Sequence, residues 1–252
     1  MLPSSARASP FPNVDGTDLE EVLGSKDIIS PIHVAQAEQV VDTPKFGDWA
    51  IAATSAELLL EGNFGFDESH YISALSVLSA TFTQTLRIRD DSISLLFSCG
   101  LHPEEEKKEE DDDKGSSTIA GVSMIKSLIG QLLEQHRSFN LTGLDRRIKQ
   151  RLIKDGDLEE LCAPFGWLFE RLPNRLTLVC FVDGAVHYEI EPWEDELIKV
   201  VGCLLDLVRN EDMTFPVKIL VTSPTPTESL QKLFDTEDKV SLLNACHIPG
   251  VL

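Results

Sequence analysis

The stretch 176–189, LTLVCFVDGAVHYE, constrains the fold of this chain more than any other. From Leu178 to Val182 it is an unbroken apolar run, and it stops abruptly at Asp183 and Gly184. A strand with one face in water alternates apolar and polar residues. A continuous run is buried on both faces, as in a parallel sheet held between two layers of helix. In open α/β sheets of this kind ligands sit beyond the carboxyl ends of the strands, and Asp183 stands at that edge.

The rest of the chain supplies partners for such a strand. Further strands are expected at 56–61, 92–98, 217–222 and 240–243. Helices are expected at 45–54, at 74–87 behind a Ser73 cap, and from Ser116 or Ser117 to His136. Others are expected at 144–153, 158–172, 193–209 and 228–234, with Pro164 splitting the second of these because a proline inside a helix loses a hydrogen bond and clashes with the turn before it. Strands alternating with helices give the α/β class: a mostly parallel five-stranded sheet with helices on both faces, a three-layer sandwich with right-handed crossovers. The turn from Gly62 to Gly65 is expected to use the positive φ that glycine permits.

Residues 1–44 carry Pro3, Pro10, Pro12 and Gly16 and are expected to form a flexible N-terminal arm rather than a separate domain, with room in it for short helices at 18–23 and 31–41. Residues 45–252 then make one domain. Inside it lies an acidic loop, 103–116, whose run 104–114 holds eight acidic and three basic residues. Like charges at that density stay solvated; a docking tail for a protein partner is the functional alternative. A calcium site is disfavoured, since no glycine stands where a calcium loop must turn.

The formal net charge of −20 argues against nucleic acid and anionic membranes as partners. The one basic run, from Arg146 to Arg151, reads as the solvated face of a helix. No apolar run reaches the roughly 18 residues of a membrane helix, and the N-terminus has no signal-peptide core. The five cysteines (Cys99, Cys162, Cys180, Cys203 and Cys246) form no C-x-x-C pair, so a reduced, cytoplasmic protein without zinc is expected. No serine sits in a G-x-S-x-G elbow, and Cys99 near His102 reads as a free thiol at a strand end.

A phosphate-binding loop needs strand, glycine-rich turn and helix in succession, and residues 56–87 have that order. Laid on G-x-x-x-x-G-K-[ST], the segment runs Gly62, Asn63, Phe64, Gly65, Phe66, Asp67, Glu68, Ser69. Asp67 replaces the second glycine and Glu68 the lysine; only the hydroxyl position, Ser69, survives. A carboxylate within about 4 to 6 Å of a triphosphate costs on the order of a few kcal/mol even at the effective dielectric of a protein surface.

With these residues in view, the order of segments resembles the core of NACHT/STAND-type P-loop NTPases, in particular the large set found in fungi. Residues 56–64 and 72–86 resemble its first strand, P-loop and first helix; 92–101, its second strand; 124–135, the helix that follows; 178–184, its Walker B strand; 217–223, its sensor 1 strand. The resemblance implies Mg-ATP as ligand, held by a P-loop at Gly62, Asn63, Gly65 and Ser69, with Ser69 and Asp183 on the magnesium. It also implies a second acidic pair after Asp183, where this chain has Val186 and His187. Glu189 and Glu191 come late, leaving Glu189, or His187, as the group that would polarise a water. The arginine that the family carries after sensor 1 is Pro224 here, and the lid and winged-helix parts are expected to be absent.

These losses lead to the expectation of a degenerate, catalytically inactive NTPase-like module that regulates or binds protein partners and needs no cofactor. The rivals are a weak nucleotide binder or slow ATPase using Ser69, Asp183 and Glu189, and an unrelated enzyme whose site lies near Gly62, Gly100, Asp183 and Thr222.

Overall fold

The computed structural model describes residues 15–64, 71–102, 120–136, 139 and 158–242. Five strands, β1 (Ala56–Glu61), β2 (Ser92–Ser98), β3 (Thr177–Asp183), β4 (Val217–Ser223) and β5 (Lys239–Ser241), form one sheet in the order β2-β3-β4-β1-β5. Every pairing is parallel. This is the α/β class expected from the alternation of strands and helices.

Side-chain parity along the strands divides the core in two. Leu59, Ile93, Leu95, Phe97, Leu178, Cys180, Val182, Ile219 and Val221 face α5 (Ala120–Gln135), α6 (Leu158–Phe169) and α7 (Glu194–Arg209). Leu58, Leu60, Leu96, Val179, Phe181 and Leu220 face α1 (Asp15–Gly24), α2 (Pro31–Val41), α3 (Pro44–Ile51) and α4 (Ala74–Arg87). The chain leaves β1 through α4, crosses to the far edge at β2, and returns through β3 and β4 with its helices on the other face.

Local chemistry sets the helix starts. Ser73 and Ser76 satisfy each other's backbone N–H groups at the start of α4, at 3.2 and 2.9 Å. Thr43 caps α3, with Pro44 in its first turn. At the start of α5, the Gly121 N–H donates to buried Glu196 of α7 at 2.9 Å; a Cβ on Gly121 would stand 2.8 Å from Glu196 Cβ, so the position calls for glycine.

The expected N-terminal arm is helical from residue 15 on. Val22, Ala37 and Val40 are buried in the second core, and His102, just past the 3-10 turn Cys99–Leu101 that follows β2, holds Asp18 of α1 at 2.8 Å. Pro164 does not split its helix: α6 runs through it. The lost bond and clash cost ~3 kcal/mol. Against this stand four fully or nearly fully buried side chains, Leu161, Phe165, Leu168 and Phe169, each contributing roughly 1.5–3 kcal/mol. The expected helix at 228–234 is a 3-10 turn, Leu230–Leu233. The helix at 144–153, the acidic loop and Cys246 lie outside the described residues.

The edge strand β2 is covered by side chains that imitate a neighbouring strand. Gln131 of α5 accepts from the Leu96 N–H at 2.8 Å and donates to the Leu96 carbonyl at 2.6 Å. One turn on, Gln135 makes the same two bonds to Ser94, at 3.1 and 2.8 Å. Two residues of strand advance ~6.6 Å and four of helix ~6 Å, so amides at i and i+4 match a strand's outward-facing groups at j and j−2. Arg87 adds two bonds to the Ser94 carbonyl. No helix among the described residues is long and apolar enough to cross a membrane.

Candidate functional site

The parallel register lines the carboxyl edge of the sheet with polar residues. Ser98 of β2 is level with Asp183 of β3, and Thr222 and Ser223 of β4 are level with Leu60 and Glu61 of β1. Asp183 is the centre of this row and is only 2% exposed. Thr222 Oγ1 donates to Asp183 Oδ1 at 2.6 Å. Burial pushes the Asp183 carboxyl up from 3.8 to about 6; the hydroxyls of Thr222, Ser76 and Ser98 and the Gly184 N–H pull the other way without prevailing.

Above Asp183 the edge is filled by protein. Gly184 takes the left-handed conformation, φ 68°, and leads into a 3-10 turn, Ala185–His187. That turn lays the His187 ring beside Gly184 and Gly100, 3.1 Å from where either Cβ would stand. Burial lowers the pKa of His187. Tyr71 crosses over Gly100 so closely that a Cβ there would meet the Tyr71 carbonyl at 2.3 Å, and the Tyr71 and His187 rings pack edge to face at 5.6 Å. Gly100 is therefore glycine to admit another backbone.

The turn after β1 behaves differently from the expectation. Gly184 is the one described glycine with positive φ, so Gly62 does not use that freedom. Gly62 is small for another reason: a Cβ would stand 2.7 Å from the Pro224 carbonyl. The Gly62 N–H donates to Ser223 O at 2.7 Å and the Phe64 N–H to Pro224 O at 3.2 Å, so residues 62–64 prolong the pairing of β1 with β4. Asn63 lies within this extension, and the Phe64 ring rests against His33 of α2 at 5.0 Å. Gly65, Asp67, Glu68 and Ser69 lie outside the described residues.

Glu189 is turned away from Asp183. Its carboxylate accepts from the N–H groups of Glu228, Ser229 and Leu230 at 2.9, 2.6 and 2.7 Å, holding the start of the turn Leu230–Leu233. Glu61 accepts from the N–H and hydroxyl of Thr227 at 2.8 and 2.7 Å. The two glutamates anchor the loop after β4 from opposite sides. Sequence reasoning placed Asp183 and Thr222 at the strand ends. It did not find Ser76, Ser98 or Tyr71, although a serine and a threonine closing apolar runs at Ser98 and Thr222 were a readable sign.

Two surface hollows lie at the other pole of the sheet. One, of about 480 Å³, opens among Ser55, Arg209, Thr214 and Pro216; the other, of about 290 Å³, among Trp49, Phe82, Arg89 and Lys218. Neither includes Asp183. Among the described residues no group of three or more His, Cys, Asp and Glu side chains is placed to hold a metal ion.

No family pattern matches the chain, and no curated protein matches it. Among solved structures it is similar to Drosophila ORC bound to DNA, with a TM-score of 0.42 and 14% identity over 96% of this chain and 51% of that one. It is also similar to Drosophila ORC bound to AT-rich DNA and Cdc6, with a TM-score of 0.40 and 12% identity over 96% of this chain and 34% of that one. The chain spans about half the length of the first and a third of the second. A likeness of this degree carries no inference about site or activity.

Proposed function

We propose that this chain is a cytoplasmic, hydrolytically silent P-loop NTPase-like module that works by binding or regulating protein partners. The observation that carries the reading is the state of Asp183. A magnesium-binding carboxylate must be ionised and must offer its oxygens to the metal's shell. Here the carboxyl is buried, its Oδ1 already accepts a bond from Thr222, and burial opposes its ionisation. Among the described residues this set does not suit a magnesium-bound triphosphate.

Two further features support the reading. The N–H groups of Gly62 and Phe64, which begin the phosphate-loop pattern, are spent on the carbonyls of Ser223 and Pro224. Glu189, the residue nearest the role of polarising a water, has its carboxylate taken by three backbone N–H groups. The sequence adds Glu68 where the lysine belongs and Pro224 where the sensor arginine belongs.

Isothermal titration of the full chain with Mg-ATP tests this. The expected result is no saturable heat in the micromolar range. Saturable micromolar binding that is lost in Asp183→Asn replaces the proposal with a nucleotide binder or slow ATPase.

A further inference from the structure

Of the four cysteines among the described residues, Cys99 and Cys180 are buried, whereas Cys162 on α6 and Cys203 on α7 are partly buried. Those two face each other, and the helix packing explains why. Along the contact of α6 with α7, Gly166 lies against Leu207, where an added Cβ would stand 3.8 Å from Leu207 Cδ2. One turn earlier on both helices the same register brings Cys162 to Cys203, thiol hydrogen-bonded to thiol.

We propose that Cys162 and Cys203 are a dithiol modification site, oxidised by small disulfides such as glutathione disulfide to an internal bridge that staples α6 to α7. Contact with the Cys162 thiol, burial and the charge of Asp206 all raise the pKa of Cys203. The paired thiols share the two steps of the exchange: whichever ionises attacks, and the other resolves the mixed disulfide.

In the first exchange the thiolate of one cysteine of the pair attacks one sulfur of glutathione disulfide. A mixed disulfide forms, the glutathione S–S bond breaks, and one glutathione thiolate leaves and takes up the proton that the attacking cysteine released. In the second, the other cysteine gives up its proton and attacks the sulfur of the first. The internal S–S bond forms, and the second glutathione leaves as its thiolate and is protonated. Two protein thiols are oxidised and one small disulfide is reduced to two thiols. The bridge closes a loop that contains β3 and Asp183.

The test incubates the native full chain with glutathione disulfide, alkylates the remaining thiols, and maps the digest by mass spectrometry without reduction. The expected product is a Cys162–Cys203 linked peptide, two hydrogens lighter than the free thiols, reversed by dithiothreitol, and formed at least about tenfold faster than any adduct at Cys99 or Cys180. In Cys203→Ser the reaction stops at a glutathione adduct on Cys162. Phenylarsine oxide, which needs two neighbouring thiols, protects both residues from alkylation in the unmutated chain, a readout that stands even if a serine variant fails to fold. A glutathione adduct that accumulates on Cys162 or Cys203 in the unmutated chain with no internal bridge overturns the proposal. So does a pair that stays fully alkylatable in the presence of the arsenical.

Discussion

Replacing Asp183 by asparagine should make the protein more stable at neutral pH. Asparagine keeps the shape of the side chain and an oxygen to accept from Thr222, and its amide can donate to the hydroxyls of Ser76 and Ser98 that surround the site. What it removes is a buried charge. Asp183 titrates at about 6 when folded against 3.8 ordinarily. Because the folded value is raised, the neutral form stabilises the fold. Its benefit is complete below about pH 3.8, and is lost as pH rises through about 6. At about pH 7.5 the wild type has lost about 3 kcal/mol by this route, and at about pH 5 about half of that. The asparagine variant has no such loss. Urea unfolding followed by tryptophan fluorescence should therefore show a gain for Asp183→Asn that is about 1.4 kcal/mol larger at about pH 7.5 than at about pH 5. Other titrating groups are common to both proteins and cancel in the difference. A gain that does not change with pH, or a loss of stability at neutral pH, refutes the claim that Asp183 is held as a reluctant charge.

The edge cover and the loop anchor make two more predictions. Gln131→Leu leaves the N–H and carbonyl of Leu96 without their partner, at a cost of about 2–4 kcal/mol, and should speed hydrogen exchange at the Leu96 amide before any other in β2. Glu189→Ala removes the acceptor of three backbone N–H groups; it should cost about 2–3 kcal/mol in chemical denaturation and sensitise the chain to proteolysis near residues 225–233, with Glu189→Gln losing less.

How much of this was legible in the sequence follows from where each determinant lies. β1, β2 and α4 were readable to the residue because their boundaries are local: an apolar run ending in polar residues, and a serine cap three positions before its partner. The helices at 15–41 were harder to read. Their buried residues, Val22, Ala37 and Val40, are sparse among prolines and polar groups, and they gain burial only by packing on α4 and the sheet. Pro164 misled for a related reason, since the packing that outweighs its cost comes from α5 and α7. At the site, the position of Asp183 was visible as the end of an apolar run, but its environment was not. Thr222 comes from a strand 39 residues later, and the partners of Glu189 from a loop about as far downstream. Gly62 invited a conformational explanation from sequence, and the structure supplies one of contact instead.

The glutamine cover of β2 ties two hazards to one helix. Most of α5 is buried in the first core, and two of its side chains close the open rim of the sheet. Peeling it away bares an oily surface and a templating strand in a single event, so partial opening at this side carries a risk of self-association from its first moment. A fold arranged this way gains most from being cooperative: α5 stays docked until the whole layer gives way.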